Sequence, residues 1–246
     1  MPADAPHRPE AEAEAEAEAD VDVDVDIDAE TAEESLRDRL VRTGVALVDA
    51  EGAQALTLRE IARRAGVSHG APRRHFPTHL DLLSAIAREG FRELGERVAA
   101  ADDPAGAPRA RVAALARCYL DFAQTRGGMY ELMFRHDLLE SGRLGLRDTS
   151  LPLFTHFAGL VAAARPDTAD SDADSGFDPV TATGALWANL HGLAQLWRWG
   201  SLRLATGADD MAPLLAATLD AHLGPAAGPA AGPSAGPSAG PAGGPR

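Results

Sequence analysis

Lysine is absent from these 246 residues: all 23 basic side chains are arginine. With abundant alanine, this reads as a coding bias and carries no function. Cysteine is nearly absent. Cys118 alone excludes a disulfide framework within the chain and a metal site built from several thiolates. It shares an apolar helical face with Leu115, Tyr119 and Phe122, which predicts a buried structural thiol. No apolar run reaches the ~18 residues a membrane helix needs, and the N-terminus is acidic without the apolar stretch of a leader. The expectation is a soluble, cytoplasmic protein of one or two domains.

The net charge of −14 argues against a polyanion as partner only until its distribution is read. Residues 1–34 hold 14 acids against one arginine, whereas the rest of the chain holds 23 acids against 22 arginines. Residues 57–76 carry five arginines and one glutamate, and beyond ~8–10 Å salt screens the remainder. The acidic stretch is an Ala-Glu repeat followed by a Val-Asp repeat. Its like charges have nothing to pair with, so residues 1–34 are expected to be a disordered arm. That arm acts either as a solubility tail or as a competitor of phosphates at a neighbouring basic face. Residues 35–101 read as one domain, Asp102 to Gly106 as a linker, residues 108–223 as a second helical region, and 224–246, rich in Gly, Pro and Ala, as a flexible tail.

The most informative stretch is Thr57 to Phe76, TLREIARRAGVSHGAPRRHF. Thr57 and Glu60 have the spacing of a capping box. Leu58, Ile61, Ala62 and Ala65 give one apolar helical face. Gly66 stands where a helix ends on a left-handed residue. Val67 fits the corner, and Ser68 can cap the next helix. A helix, a short turn and a second helix carrying Arg73 and Arg74 make a helix-turn-helix, whose second helix enters the major groove. Upstream, Leu36, Leu40, Thr43, Leu47 and Val48 mark a helix ending near Gly52. Downstream, Thr78 and Asp81 start a long helix through Leu82, Leu83, Ile86, Phe91, Leu94 and Val98.

Order and residue types from Ser35 to Ala101 resemble the N-terminal domain of the TetR family of one-component repressors. The most specific part is T-x-x-x-I-A-x-x-A-G-V-S with the following His-Phe and Leu-Leu pairs. The resemblance implies an all-α protein: a three-helix DNA-binding domain followed by a helical ligand-binding and dimerisation domain. Pro72-Arg73 stands where most members carry a leucine-tyrosine pair whose tyrosine touches the DNA backbone, so that role passes to Arg73, a cation able to grip a phosphate bidentately. Arg73 and Arg74, with Thr57 and Thr78, are expected to take phosphates or guanine edges. Ser68, His69, Gly70 and Ala71 would stand at the groove floor. His69 is either a donor to DNA or a solvated residue at the helix start. His75 packs beside Phe76 or reaches DNA.

The second region reads as four or five helices: Arg109–Gln124, a short one through Met129 to Phe134, Leu146–Ala164, the apolar Pro179–Leu204 and a last one from Met211 to Leu223. Residues 166–179 form an acidic loop. Trp187, His191 and Gly192 resemble a sensing-domain subtype named for a Trp, a His and a Gly. The family's last two long helices pair with those of a second subunit. A helix apolar on more than one side also has too much apolar surface for one core, so a homodimer is expected, with Leu193, Leu196, Trp197, Leu215 and Leu219 as contacts. Phe122, Met129, Tyr130, Phe134, Phe154, Phe157, Trp187 and His191 are candidates for a pocket taking an apolar or aromatic effector with few polar anchors, each also readable as ordinary core. The expected partner is double-stranded operator DNA.

No catalytic residue, metal or cofactor is expected. Gly66 to Gly70 spells the G-x-S-x-G of serine hydrolases, but that chemistry needs a strand before the serine. Pro77 breaks the helical geometry by which His75 and His79 could share a metal with His69. A helical interaction module without DNA binding is the remaining alternative.

Overall fold

A computed structural model describes residues 24–141, 145–165 and 178–225, all built from helices and connections, with no strand among them. Helix α1 spans Asp24–Glu51. It starts well ahead of the boundary expected near Ser35, so the last part of the acidic arm is helical and not disordered. A helix already anchored by buried Leu40, Leu47 and Val48 propagates more easily than one that must nucleate. Residues 1–23 of the arm, the acidic loop over 166–177 and the tail over 226–246 lie outside the described residues.

A single 3-10 turn, Ala53–Ala55, leads to α2 (Leu58–Arg64), α3 (Pro72–His75) and α4 (His79–Ala101). The α4 start is a complete capping box. Thr78 Oγ1 accepts the Asp81 N–H at 3.1 Å, and the Asp81 carboxylate accepts the Thr78 N–H at 2.9 Å. The second region holds α5 (Pro108–Thr125), α6 (Gly127–Met133), α7 (His136–Ser141), α8 (Leu146–Ala164), α9 (Pro179–Arg198), α10 (Ser201–Thr206) and α11 (Ala212–Leu223). The expected four or five helices are thus seven among the described residues. The apolar Pro179–Leu204 segment divides at the left-handed Gly200, and α7 is a short helix that the apolar pattern did not mark.

Helix α4 joins the two regions. It packs on α1 at its start and on α5, α6 and α8 further along. The core is accordingly continuous, from Leu47, Ile61 and Ile86 through Phe91 and Met129 to Leu186 and Leu215. Arg111 closes the α4–α5 corner by donating to Asp102 through Nε and Nη2 at 2.7 and 2.8 Å. Cys118 is half-buried and unpaired, and burial pushes its thiol up.

Candidate functional site

The turn between α2 and α3 is shaped by its backbone bonds. Gly66, at φ +70°, lets the Val67 N–H return to the Ala62 carbonyl at 3.0 Å and its own N–H reach Arg63 at 3.2 Å, the paired closure that a left-handed residue permits. Pro72 shapes the next turn. Having no N–H, it cannot bond the Ser68 carbonyl, which instead accepts from Ala71 at 3.0 Å; Arg73 and Arg74 likewise bond three residues back, and Phe76 bonds four back, to Pro72 at 2.8 Å. The second helix is therefore shorter than the sequence suggests, beginning at Pro72, and Ser68 does not cap it with its side chain.

The capping box expected at Thr57 is half formed. Thr57 Oγ1 accepts the Glu60 N–H at 3.1 Å, but the Thr57 N–H is already bonded to the Ala55 carbonyl at 2.8 Å. The Glu60 carboxylate instead accepts from Arg63 at 2.9 and 2.5 Å and from Arg64 at 2.6 Å. Arg63 and then Arg64 hold that carboxyl down at about 2, and Arg64 also pairs with Glu51. Two of the five arginines are thus neutralised. Arg59, Arg73 and Arg74 remain exposed, with no acidic partner among the described residues.

The candidate contacts divide accordingly. Thr57, Ser68, His69, Gly70, Arg73 and Arg74 are exposed, while Ala71 and His75 are partly buried and Phe76 is buried beneath the Arg37 guanidinium at 5.2 Å. Thr57 Oγ1 only accepts, so its hydroxyl proton stays free among the described residues. Thr78, though exposed, does not: its hydroxyl donates to Asp81 at 2.7 Å and its N–H to the same oxygen. His79 bonds the Leu56 carbonyl at 2.7 Å and so pins α4 to the loop before α2, a role its sequence context did not signal. Among the described residues no His, Cys, Asp and Glu cluster could hold a metal. The G-x-S-x-G motif follows a helix, not a strand.

The second region encloses an apolar cavity of about 250 Å³ between α4, α5, α8 and α9. Of the eight pocket candidates, Phe134, Phe154, Phe157 and Trp187 line it; Phe91, Leu94, Leu115 and Tyr119 join them. Leu151 and Trp187, exposed by 55% and 37%, belong to both lining and surface and mark its mouth. Phe122, Met129, Tyr130 and His191 do not line it. Phe122 is core under Arg97, and Met129 packs between α6 and α4. Tyr130 and His191 stand behind Tyr119, the three polar atoms being mutually bonded: Tyr119 to Tyr130 at 3.0 Å, and each hydroxyl to His191 Nδ1, at 2.9 and 2.7 Å. Burial pushes the Tyr119 hydroxyl well above its ordinary value and that of Tyr130 up to about 12, and it lowers His191. All three are neutral near pH 7. Tyr119 was legible only as an apolar-face residue, because its partners come from other helices.

Of the expected dimer contacts, Trp197, Leu215 and Leu219 are buried within the subunit at 7%, 4% and 6% exposure. They fill the seam where α9 and α11 meet α5. Leu193 is partly buried, and Leu196 faces outward with Trp199 and Leu204, the last 90% exposed. No helix among the described residues is long and apolar enough to cross a membrane.

Residues 40–86 match the family described as bacterial regulatory proteins, tetR family, and residues 112–221 match the tetracyclin repressor-like, C-terminal domain. Among solved structures, a protein of unknown function from Rhodococcus sp. RHA1 is 26% identical over 76% of this chain and 93% of that one, with a TM-score of 0.57. A TetR-like transcriptional regulator from the same organism is 16% identical over 76% of this chain and 93% of its own, with a TM-score of 0.53. RolR, solved in complex with resorcinol, is 19% identical over 78% of this chain and 89% of its own, at 0.54. No curated protein matches the sequence. With a helix-turn-helix presenting unpaired arginines and both family domains in order behind it, this chain belongs to the TetR family of DNA-binding transcriptional regulators.

Proposed function

We propose that the chain is a ligand-responsive repressor that binds a palindromic operator as a homodimer. The observation that carries this reading is the pairing pattern of the arginines. Those on the supporting helix α2 are largely tied to Glu60 and Glu51, while Arg73 and Arg74 on α3 stand exposed and unpaired. An exposed cation without a counter-ion gains most from a phosphate or a guanine edge. Two copies of α3 related by a twofold would read half-sites about 34–36 Å apart. The outward Leu196 on α9 and Trp199 just past its end support a second subunit against that helix.

The cavity supports effector control, and α6 supplies its link to the DNA-binding helices. Tyr130, at the rear of the cavity wall, lies on α6, whose first turn rests on α1. A Cβ added at Gly128 would stand 2.3 Å from the Val48 carbonyl oxygen. Arg126, preceding α6, pairs with Asp49 of α1 and, at 2.8 Å, with Glu93 of α4. A ligand that shifts α6 would tilt α1 and with it the helix-turn-helix, and the differential affinity of the ligand for the two arrangements sets the size of the effect. Sequencing of DNA recovered with the protein tests the reading. The expected result is an inverted repeat near regulated genes, with salt-dependent retardation of that fragment. No retardation of its own promoter or of any recovered fragment at low salt would overturn it.

A further inference from the structure

The cavity has no charged residue in its lining, and its polar side-chain groups are few: the Tyr119 hydroxyl, the Trp187 indole N–H and the Ser150 hydroxyl. We propose that the effector is an uncharged, mainly aromatic molecule carrying one hydroxyl group, and that Tyr119 is the residue that selects it. The proposal rests on the effector-binding reading of this cavity and assigns the chemistry of that site.

The assignment comes from counting hydrogens in the triad. Three polar atoms lie pairwise within 2.7 to 3.0 Å, so three contacts each need a hydrogen. If His191 Nδ1 is an acceptor, the two hydroxyls supply only two. Tyr130 then donates to His191 over the shortest contact, Tyr119 donates to Tyr130, and the Tyr119 oxygen accepts from the Trp187 side chain with one lone pair, leaving its other lone pair free. If Nδ1 carries the proton, it donates to Tyr130 and Tyr130 donates to Tyr119. The Tyr119 proton then has no acceptor in the triad and turns to the cavity. In either tautomer one hydrogen-bonding function of Tyr119 is left over, on a residue that lines the cavity. A hydroxyl both donates and accepts and therefore satisfies both states, whereas a carbonyl satisfies only the second. A carboxylate or ammonium would enter an apolar space without a counter-ion, which strongly disfavours the charged form. The surrounding Phe91, Phe134, Phe154 and Phe157 offer ring edges and faces to an aromatic body.

The test uses the full-length chain and three probes of one shape: 2-naphthol, naphthalene and 2-naphthoate, titrated by calorimetry in the absence of DNA. 2-Naphthol should bind about five- to tenfold more tightly than naphthalene, the worth of one net hydrogen bond, and 2-naphthoate should not bind measurably. In Tyr119→Phe the preference for naphthol over naphthalene should fall to within about twofold, since the bond that discriminates is gone. Circular dichroism establishes that the variant is folded; should it not fold, the three probes on the natural chain decide alone. Naphthoate binding as tightly as naphthol, a preference that survives in folded Tyr119→Phe, or no binding by any probe would each overturn the assignment. None of these results bears on DNA retardation, so a failure here is distinct from a failure of the regulator reading.

Discussion

Replacing Gly128 by alanine probes the contact on which communication between cavity and DNA head depends. The added Cβ would meet the Val48 carbonyl oxygen at 2.3 Å and the Gly52 Cα at 3.1 Å. Both are backbone atoms of the α1 terminus, which cannot rotate aside. Ordinary contact would require α6 to retreat by about 1 Å. Met129, Tyr130, Leu132 and Met133 of that helix are fully buried, so the retreat disturbs packing on the opposite side. Forcing an extra carbon into such a site costs about 1–3 kcal/mol, offset by the ~0.5–1 kcal/mol that alanine gains over glycine in a helix. The net loss of about 1–2 kcal/mol should lower Tm by roughly 3–6 °C in a chain of this size. Gly159→Ala is the matched control: Gly159 lies within α8 and an added Cβ there meets nothing within 4 Å, so it should be neutral or stabilising by up to ~1 kcal/mol. Scanning calorimetry of the two variants against the parent measures the difference. Equal melting temperatures would refute the claim that α6 bears directly on the α1 backbone. The same variant should also show altered operator affinity without ligand, read by retardation.

The charges set three further outcomes. Arg73→Ala or Arg74→Ala should weaken operator binding and reduce the salt slope by about one per subunit for each phosphate no longer gripped, whereas the Glu60-paired Arg63→Ala should change it far less; equal effects in a salt titration would contradict the pairing argument. Asp102, held down from 3.8 to about 2 chiefly by Arg111, has a folded pKa below its unfolded one. Its stabilisation is therefore complete above about pH 4 and lost as pH falls toward about 2. Asp102→Asn should flatten the denaturation midpoint against pH across that window, and an unchanged pH profile would count against it. Deleting residues 2–23, which carry eight acids against one arginine, should raise non-specific DNA affinity at low salt and leave it unchanged at high salt, where the arm's field is screened; no change at low salt removes the competitive role of the arm.

Local chemistry was sufficient wherever a residue acts on its own few neighbours. Gly66 is left-handed, Thr57 and Thr78 cap their helices, and the Leu146–Ala164 helix runs between the limits its apolar spacing indicates. The alternative at Glu60 was local too, but reading it required knowing that the Thr57 N–H was already bonded to Ala55. Periodicity could not separate two kinds of apolar position on α9 and α11. Trp197, Leu215 and Leu219 have the same pattern as a subunit contact, and only the packing of α5 against them places them inside. The triad was the least legible feature. Tyr119, Tyr130 and His191 come from α5, α6 and α9, up to 72 positions apart, and a hydrogen bond depends on where three helices place three atoms, which no single helix encodes. Sequence alone determined the longer helices, the caps at Thr57 and Thr78 and the basic segment, because those depend on contacts within a few residues. Tertiary packing decided which apolar residues face outward and which hydroxyl meets the cavity, because burial depends on elements distant along the chain.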